Sequence, residues 1–186
     1  SCSLVGSEMC IRDSLGSLLR ITLHKDMGNF TVGEEMQLVS NYMTIQHMRY
    51  PNKLIYHCDV SENLYTISIP KFTIQPLVEN AIRYSLMNAV DICEVSVTAF
   101  VSPDQNGNEI LTVRVKNNGS YFEDNILQKL QNGERQPHGF GIGLLNVLNR
   151  LQITYGDPFG LQVYNEYDEY DTYAIAEIRI PAVSFV

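Results

Sequence analysis

Hydrophobic residues recur at two different spacings along this chain, and the spacings separate predicted helices from predicted strands. From Thr31 to about Tyr50 and from Gln75 to Tyr84, apolar positions fall three and four residues apart, which predicts amphipathic helices. Segments 92–101 and 110–116 alternate apolar and polar residues on either side of a polar turn, which predicts a β-hairpin. The chain therefore contains both helices and antiparallel strands.

The remaining elements follow from the same two patterns. We predict strands over 54–60, 65–69, 161–165 and 172–180, a short helix over about 123–131, and another helix after residue 143. Strands that are grouped in this way, with helices to one side, indicate an α+β protein. The predicted fold is a two-layer α/β sandwich whose mixed, mostly antiparallel sheet is covered on one face by helices and preceded by a helical segment.

The first helix carries clear boundary signals. Thr31-Val-Gly-Glu34 is a capping box, in which the threonine hydroxyl and the glutamate carboxylate each satisfy a backbone N–H at the helix start. Pro51 and Asn52 end the helix.

The second helix has one face for a core and one face for chemistry. Its apolar stripe comprises Leu77, Val78, Ala81, Ile82 and Ser85. The other side carries Asn80, Arg83 and Tyr84. An amide oxygen is a hard ligand suited to Mg²⁺, and a guanidinium offers forked donors to phosphate oxygens. A solvated helix face explains the same residues without any ligand.

A glycine-rich stretch precedes the last predicted helix. Gly139, Gly141 and Gly143 alternate and run into the apolar positions that begin at Leu144. Glycines at a helix N-terminus let backbone N–H groups approach an anion. A Rossmann dinucleotide site is disfavoured because no clear strand precedes these glycines, and a P-loop is excluded because no Gly-Lys-Ser/Thr follows them.

Taken together, these stretches resemble three ordered boxes of the ATP-binding superfamily of gyrase, chaperone, histidine kinase and MutL. The helix around Asn80 resembles the N box, Val115–Gly119 the G1 box, and Gly139–Leu144 the G2 box. The N box, the run after Gly141 and the motif Tyr42-x-x-Ile-Gln-x-x-Arg-Tyr50 are similar to the LytS/YesM type of sensor histidine kinase. The fold implied is the Bergerat-type ATP-binding fold.

The resemblance implies specific roles. Asn80 would be the Mg²⁺ ligand and, with Arg83, a catalytic residue; Arg83 and Tyr84 would contact phosphate. Residues Asn117, Gly119, Gly139, Gly141, Gly143 and Leu144 would complete the ATP site. The segment 122–138 would be the ATP lid, and His138 either touches phosphate there or points at solvent.

Three positions depart from what the resemblance implies. Pro76 stands where the superfamily's water-activating carboxylate is found, which predicts poor ATP hydrolysis. Asn117 replaces an aspartate that accepts from the adenine amino group, so that contact loses its charge. Tyr121 replaces a glycine, and its ring would either narrow the adenine pocket or stack along its edge.

The phosphoacceptor expected for this family is missing from the sequence. It lies in an Asn-Pro-His-Phe context, and none of the four histidines, His24, His47, His57 and His138, has that context. The sequence therefore predicts a catalytic fragment that transfers the ATP γ-phosphoryl to a histidine on a separate helix. The alternatives are a pseudokinase-like binding module, motivated by Asn117 and Tyr121, and an anti-sigma-type serine kinase, disfavoured by the helix that precedes Pro51.

Composition narrows the partners without identifying a function. The 186 residues, 45% of them hydrophobic, can bury one core. A net charge of −8 and scattered basic residues argue against nucleic acid as a partner, and no apolar run reaches the roughly 20 residues of a membrane span.

We predict a non-native or disordered leader over 1–14, a dimerisation and linker remnant over 15–50, and an ATP-binding domain over 51–186. The resemblance implies a homodimeric parent anchored in a bacterial inner membrane with this domain in the cytoplasm, and a response regulator as partner.

Overall fold

The computed structural model describes residues 30–88, 91–134, 141–169 and 171–184. Its strands are β1 (Phe30–Thr31), β2 (Leu54–Val60), β3 (Ser68–Ile69), β4 (Cys93–Pro103), β5 (Glu109–Asn118), β6 (Gly160–Tyr167) and β7 (Thr172–Pro181). Its α-helices are α1 (Val32–Arg49), α2 (Gln75–Met87), α3 (Ile126–Gln131) and α4 (Gly141–Tyr155), and a 3₁₀ turn spans Glu62–Leu64.

Five strands form the main sheet in the order β2-β4-β5-β7-β6. The β2–β4 pair is parallel, and the other three pairs are antiparallel. The predicted mixed, mostly antiparallel sheet is therefore confirmed. The connection between the two parallel strands contains α2, so the helix with the polar residues is a crossover of the sheet.

The helices pack on the sheet and bury its apolar face. Helix α2 lies against β4 and β5, and α4 lies against β6 and β7. Across three central strands, Val97 pairs with Val115 and Val115 with Ala176, and all three side chains are buried. The buried residues of α2 are those of the predicted stripe: Leu77, Val78, Ala81, Ile82 and Ser85. The apolar spacing of this helix therefore predicted its orientation correctly.

The other face of the sheet carries charged and aromatic residues. Arg114 Nε donates to Glu177 Oε2 over 2.6 Å, and the Tyr164 hydroxyl donates to the same oxygen over 2.9 Å. Lys116 pairs with Glu166 at 2.9 Å and lies 4.0 Å from the centre of the Tyr173 ring. These contacts run across β5, β6 and β7, and they give this face a polar surface with its own interactions.

The predicted capping box of α1 is present. Glu34 N donates to the Thr31 hydroxyl over 3.2 Å, and Thr31 N donates to Glu34 Oε2 over 2.8 Å. The short strand β1 just before it pairs with β3.

Two predicted elements differ from the structure. The strand predicted over 65–69 is confined to Ser68–Ile69, because residues 62–64 form a 3₁₀ turn whose hydrogen bonds extend to Ile67 N. The helix predicted from residue 123 begins at Ile126, because Asn125 adopts a left-handed conformation with φ 57°. The predicted leader, residues 15–29 of the predicted helical remnant, residues 135–138 of the predicted lid, which include His138, and Gly139 lie outside the described residues.

Within the described ranges, no helix has the length and hydropathy needed to cross a bilayer.

Candidate nucleotide-binding site

Helix α2 presents its polar residues away from the core. Asn80 and Tyr84 are half-buried, and Arg83 is exposed. They lie beside the buried stripe of the helix, so none of them fills the hydrophobic core. This placement leaves an amide, a phenol and a guanidinium on one side of a helix whose other side is fixed against β4 and β5.

The glycine stretch leads into α4 next to the start of α2. Helix α4 begins at Gly141, so Gly141 and Gly143 belong to its first turn, and the N–H groups of that turn have no acceptor within the helix. A methyl group on Gly143 would lie 3.9 Å from Cβ of Pro76, the second residue of α2. Leu144 is buried and anchors the turn in the core. The fold thus brings the first turn of α4 into contact with the helix that carries Asn80.

Asn117 lies at the end of β5 with its amide partly committed. Its side chain is 4% exposed, and Nδ2 donates to the Asn118 carbonyl over 3.0 Å and to the Ser120 hydroxyl over 2.6 Å. In the part of the chain that the structure describes, no donor contacts its Oδ1. The oxygen expected to accept from an adenine amino group is therefore available, and the amide is held in that orientation by its nitrogen.

Asn118 was not predicted to have a role, and the structure gives it one. It is 8% exposed; its Oδ1 accepts from the Ser85 hydroxyl over 3.0 Å and from Glu94 N over 2.9 Å, and its Nδ2 donates to the Ile92 carbonyl over 2.9 Å. Through Ser85 this side chain ties the end of β5 to α2. No local sequence signal marks it, because its three partners are distant along the chain.

Gly119 makes the turn after Asn118. Its φ of +69° lies in the left-handed region, which suits glycine, and the Asn88 side chain at the end of α2 donates to its carbonyl over 2.7 Å. Two hydrogen bonds therefore hold the end of β5 and the turn after it: one from Ser85 on α2 to Asn118, and one from Asn88, the residue after α2, to Gly119.

The first residues of the predicted lid are attached to β6. Asn165 accepts from Phe122 N over 2.7 Å through Oδ1 and donates to the Phe122 carbonyl over 2.9 Å through Nδ2. Tyr121 just before is 67% exposed, so its ring is not packed in the interior. The cavity beside this attachment, about 630 Å³ in volume between residues 122–128 and β6, contains none of the predicted site residues.

A second cavity, about 450 Å³ in volume, lies between α1 and α2 and reaches Arg83. Its α1 side consists of Tyr42, Gln46, Arg49 and the adjoining Tyr50, which belong to the motif noted in the sequence. Burial and the nearby Glu79 carboxylate raise the pKa of Tyr42 to about 12. The motif thus packs against the α2 face that carries Arg83.

The sequence did not predict a role for one further polar atom. The side-chain oxygen of Gln75, the first residue of α2, is buried and has no hydrogen-bond partner among the described residues, whereas its nitrogen donates to Glu79 over 2.9 Å. The described residues contain no cluster of three or more His, Cys, Asp or Glu that could hold a metal by themselves. A metal held here would need ligands from elsewhere, such as phosphate oxygens and water.

Comparisons with known proteins agree with these observations. A family model described as "Histidine kinase" matches residues 7–54. Sensor histidine kinase YesM of Bacillus subtilis is 33% identical over 157 residues, which are 84% of this chain and 25% of that protein. Sensor protein LytS of Bacillus cereus is 30% identical over 137 residues, 73% of this chain and 22% of that protein. The chain thus spans about a quarter of the length of these relatives.

Solved structures agree on the fold. The nucleotide-free catalytic domain of histidine kinase ThkA superposes with a TM-score of 0.55 at 17% identity, over 85% of this chain and 97% of that domain. A blue-light activated histidine kinase of Erythrobacter litoralis gives 0.53 at 14% identity, over 95% of this chain and 75% of that domain. With the sequence matches to YesM and LytS, this likeness shows that the chain is similar to sensor histidine kinases of the LytS/YesM type and has the fold of a histidine kinase catalytic domain.

Proposed function

We propose that this chain binds ATP with Mg²⁺ and transfers the γ-phosphoryl group to a histidine on a separate helix. The observation that carries the proposal is the contact between the first turn of α4 and the start of α2, with Asn80 lying on α2 outside the core. The backbone donors of a helix N-terminus have no acceptor within the helix, and an amide-bearing helix lies beside them. Together they can bind a metal-chelated triphosphate.

The residues present fit both ligands. Asn80 would hold Mg²⁺ through its amide oxygen, and Arg83 and Tyr84 would contact phosphate oxygens. The N–H groups of Gly141 and Gly143 would donate to the same phosphates, Asn117 Oδ1 would accept from the adenine amino group, and Gly119 would let the backbone approach the base. The buried oxygen of Gln75, which has no donor among the described residues, leaves an acceptor at the start of α2 for a water molecule of the hydrated metal. Bound Mg²⁺ would neutralise the charge that develops on the phosphates.

The site favours transfer to an imidazole over transfer to water. Pro76 cannot take a proton, so no side-chain base is provided at that position to activate a water molecule. Catalysis would then depend on positioning and on charge stabilisation, which is typical of phosphoryl transfer. The acceptor would be the histidine-bearing helix of a homodimeric, membrane-anchored parent, and the phosphoryl group would pass on to a response regulator; this domain would lie in the cytoplasm.

The first prediction tests the metal ligand. Replacing Asn80 with alanine removes the only side-chain ligand assigned to Mg²⁺, so we expect the affinity for Mg²⁺-ATP to fall by about 100-fold. Isothermal titration calorimetry of the wild-type chain and the variant measures this directly. Asn106→Ala, an exposed position in the β4–β5 turn, serves as the matched control and should bind like the wild type.

A transfer assay separates the candidate functions. The departures at Asn117 and Tyr121 are the observations that favour a binding module without transfer. Phosphorylation of a histidine-bearing dimerisation domain from a relative, supplied in trans with labelled ATP, supports the kinase. Binding of Mg²⁺-ATP without any acid-labile phosphohistidine would favour the binding module, and acid-stable phosphoserine would favour the serine-kinase alternative.

A further inference from the structure

The turn that leads into α2 is held by two charged side chains from two other helices. It comprises residues 71–75 and ends at the first residue of the helix that carries Asn80. The carboxylate of Glu35, on α1, accepts from four successive N–H groups of this turn: Phe72 at 2.5 Å, Thr73 at 3.0 Å, Ile74 at 2.8 Å and Gln75 at 3.4 Å. Glu35 thereby supplies the N-terminal cap that α2 lacks, since Ile74 at its N-cap offers no side-chain hydrogen bond.

Arg150 holds the same turn through its carbonyl groups. Its guanidinium, on α4, donates to the Lys71 carbonyl and, at 3.4 Å, to the Phe72 carbonyl. The N–H groups of the turn are therefore bound by α1, and its first carbonyls by α4. A fully buried carboxylate needs such donors, because burial alone raises the pKa of Glu35 and its four backbone N–H bonds oppose that rise.

The backbone of the turn is strained at Phe72. Its φ of 58° lies in the left-handed region, which is unfavourable for a bulky aromatic residue by about 1–3 kcal/mol. Lys71 lies over the rings of Phe30 and Phe72, at 4.8 and 5.3 Å from their centres. A strained turn that is held by this many contacts from outside has one defined shape, and that shape sets where α2 begins.

The position of α2 matters for the nucleotide site. Asn80 lies five residues after Gln75, about 7.5 Å further along the helix axis. Helix α4 contacts the entry of α2 at two points, through Gly143 at Pro76 and through Arg150 at the turn, and these points lie about 10.5 Å apart along α4. A shift of the turn would therefore move Asn80 relative to the first turn of α4.

We propose that Glu35 and Arg150 are positioning residues for Mg²⁺-ATP: they fix the entry turn of α2 and so set the distance between Asn80 and the phosphate-binding turn of α4. This inference rests on the proposed function. Neither side chain needs to touch the nucleotide, and both act through the backbone of residues 71–75.

The test compares ATP affinity with and without magnesium. For each protein, the dissociation constant of ATP is measured by calorimetry in excess Mg²⁺ and in excess EDTA. The ratio of the constant in EDTA to the constant in Mg²⁺ reports the metal-dependent part of binding. In Glu35→Gln, the side-chain NH₂ group replaces a carboxylate oxygen and cannot accept from the backbone N–H groups of the turn. In Arg150→Gln, the forked guanidinium donor to the turn carbonyls is lost. We expect the ratio to fall by about tenfold to 100-fold in both.

Matched controls separate positioning from general damage. Glu34→Gln changes the neighbouring carboxylate on the same turn of α1, and Arg179→Gln removes an exposed guanidinium from β7. Both should keep the wild-type ratio. Arg150→Lys retains the charge with fewer donors and should give an intermediate ratio.

The outcomes are distinct. A lower melting temperature in Glu35→Gln and Arg150→Gln with an unchanged ratio would show a merely structural role and overturn the proposal. Should Glu35→Gln fail to fold by circular dichroism, the series Arg150→Lys and Arg150→Gln decides the question alone. If the wild-type chain shows no metal-dependent ATP binding, the proposed function fails and the positioning role fails with it.

Discussion

Two adjacent asparagines at the end of β5 have different surroundings. Among the described residues, no donor contacts the Asn117 side-chain oxygen, whereas Asn118 uses both its oxygen and its nitrogen within the fold. The first is suited to a ligand, and the second joins β5 to α2 and to the start of β4. The identity of the residue alone does not distinguish them; the partners do.

This difference gives a stability prediction. Asn118→Ala leaves the Glu94 N–H without its acceptor and the Ile92 carbonyl without its donor, so we expect the free energy of unfolding to fall by about 2–4 kcal/mol. Urea unfolding followed by circular dichroism measures this change. Asn106→Ala should stay within about 0.5 kcal/mol of the wild type. An equal, small effect of both substitutions would show that the Asn118 network contributes no net stability.

The predictable part of the site is the part that depends on near neighbours in sequence. The apolar stripe from Leu77 to Ser85 predicted that Asn80 lies outside the core, because helical spacing alone determines which side of the helix is buried. Glu35 carries no sequence signal beyond its place in the helix predicted from Thr31, because its partners at 72–75 become neighbours only in the folded chain. The roles assigned to Asn80, Arg83 and the glycines remain predictions for the experiments above.

Among the elements, α4 has a buried side and an exposed side within one turn. Leu151 is 0% exposed and Ile153 is 87% exposed. The buried side fixes the helix on β6 and β7, and therefore also fixes the first turn that carries Gly141 and Gly143.

The two aliphatic residues make a matched pair of substitutions. Leu151→Ala leaves a cavity under α4, so we expect a loss of about 2–5 kcal/mol in the free energy of unfolding. Ile153→Ala removes a side chain that is already in water and should change it by less than about 0.5 kcal/mol. Thermal and urea denaturation of both variants check the difference, and a comparable loss in each would contradict the packing of α4.

Element boundaries were harder to predict than element types. Helix α3 starts three residues later than predicted. Asn125 adopts a left-handed backbone conformation, and Asn165 on β6 binds the backbone of Phe122. Strand β5, which was predicted to end at residue 116, continues through Asn117 and Asn118, which pair with Ala174 and Tyr173 on β7. Both differences come from contacts with strands far along the chain, which local patterns do not contain.

At the scale of the whole molecule, the sheet separates an apolar face under the helices from a polar face with its own contacts. The polar face holds Tyr164 beside Glu177, where burial and the carboxylate raise the pKa of Tyr164 to about 12. The pKa of Tyr42, which lies between α1 and α2, is raised to about 12 by burial and by the nearby Glu79 carboxylate. Tyrosines on opposite sides of the molecule are therefore harder to ionise when the chain is folded.

This has a consequence for stability at alkaline pH. An unfolded tyrosine ionises near pH 10, so the folded state keeps these protons longer than the unfolded state does. The stability that they contribute is fully present below about pH 10 and is lost as the pH rises through about 12. Titration of tyrosinate absorbance should show a late step in the native chain that merges with the main step in urea. Tyr164→Phe should reduce that step, and an unchanged late step would contradict the assignment.

The turn between β4 and β5 lies at the far end of the sheet from Asn117. Asp104 closes it by accepting from the N–H groups of Asn106 and Asn108, all at the exposed surface. Asn118 lies nine positions after Glu109 along the extended strand, roughly 30 Å away. A fluorophore or a short inserted tag at this loop would thus report on the chain from outside the proposed nucleotide site, which makes the loop a suitable attachment point for following the proposed phosphoryl transfer in solution.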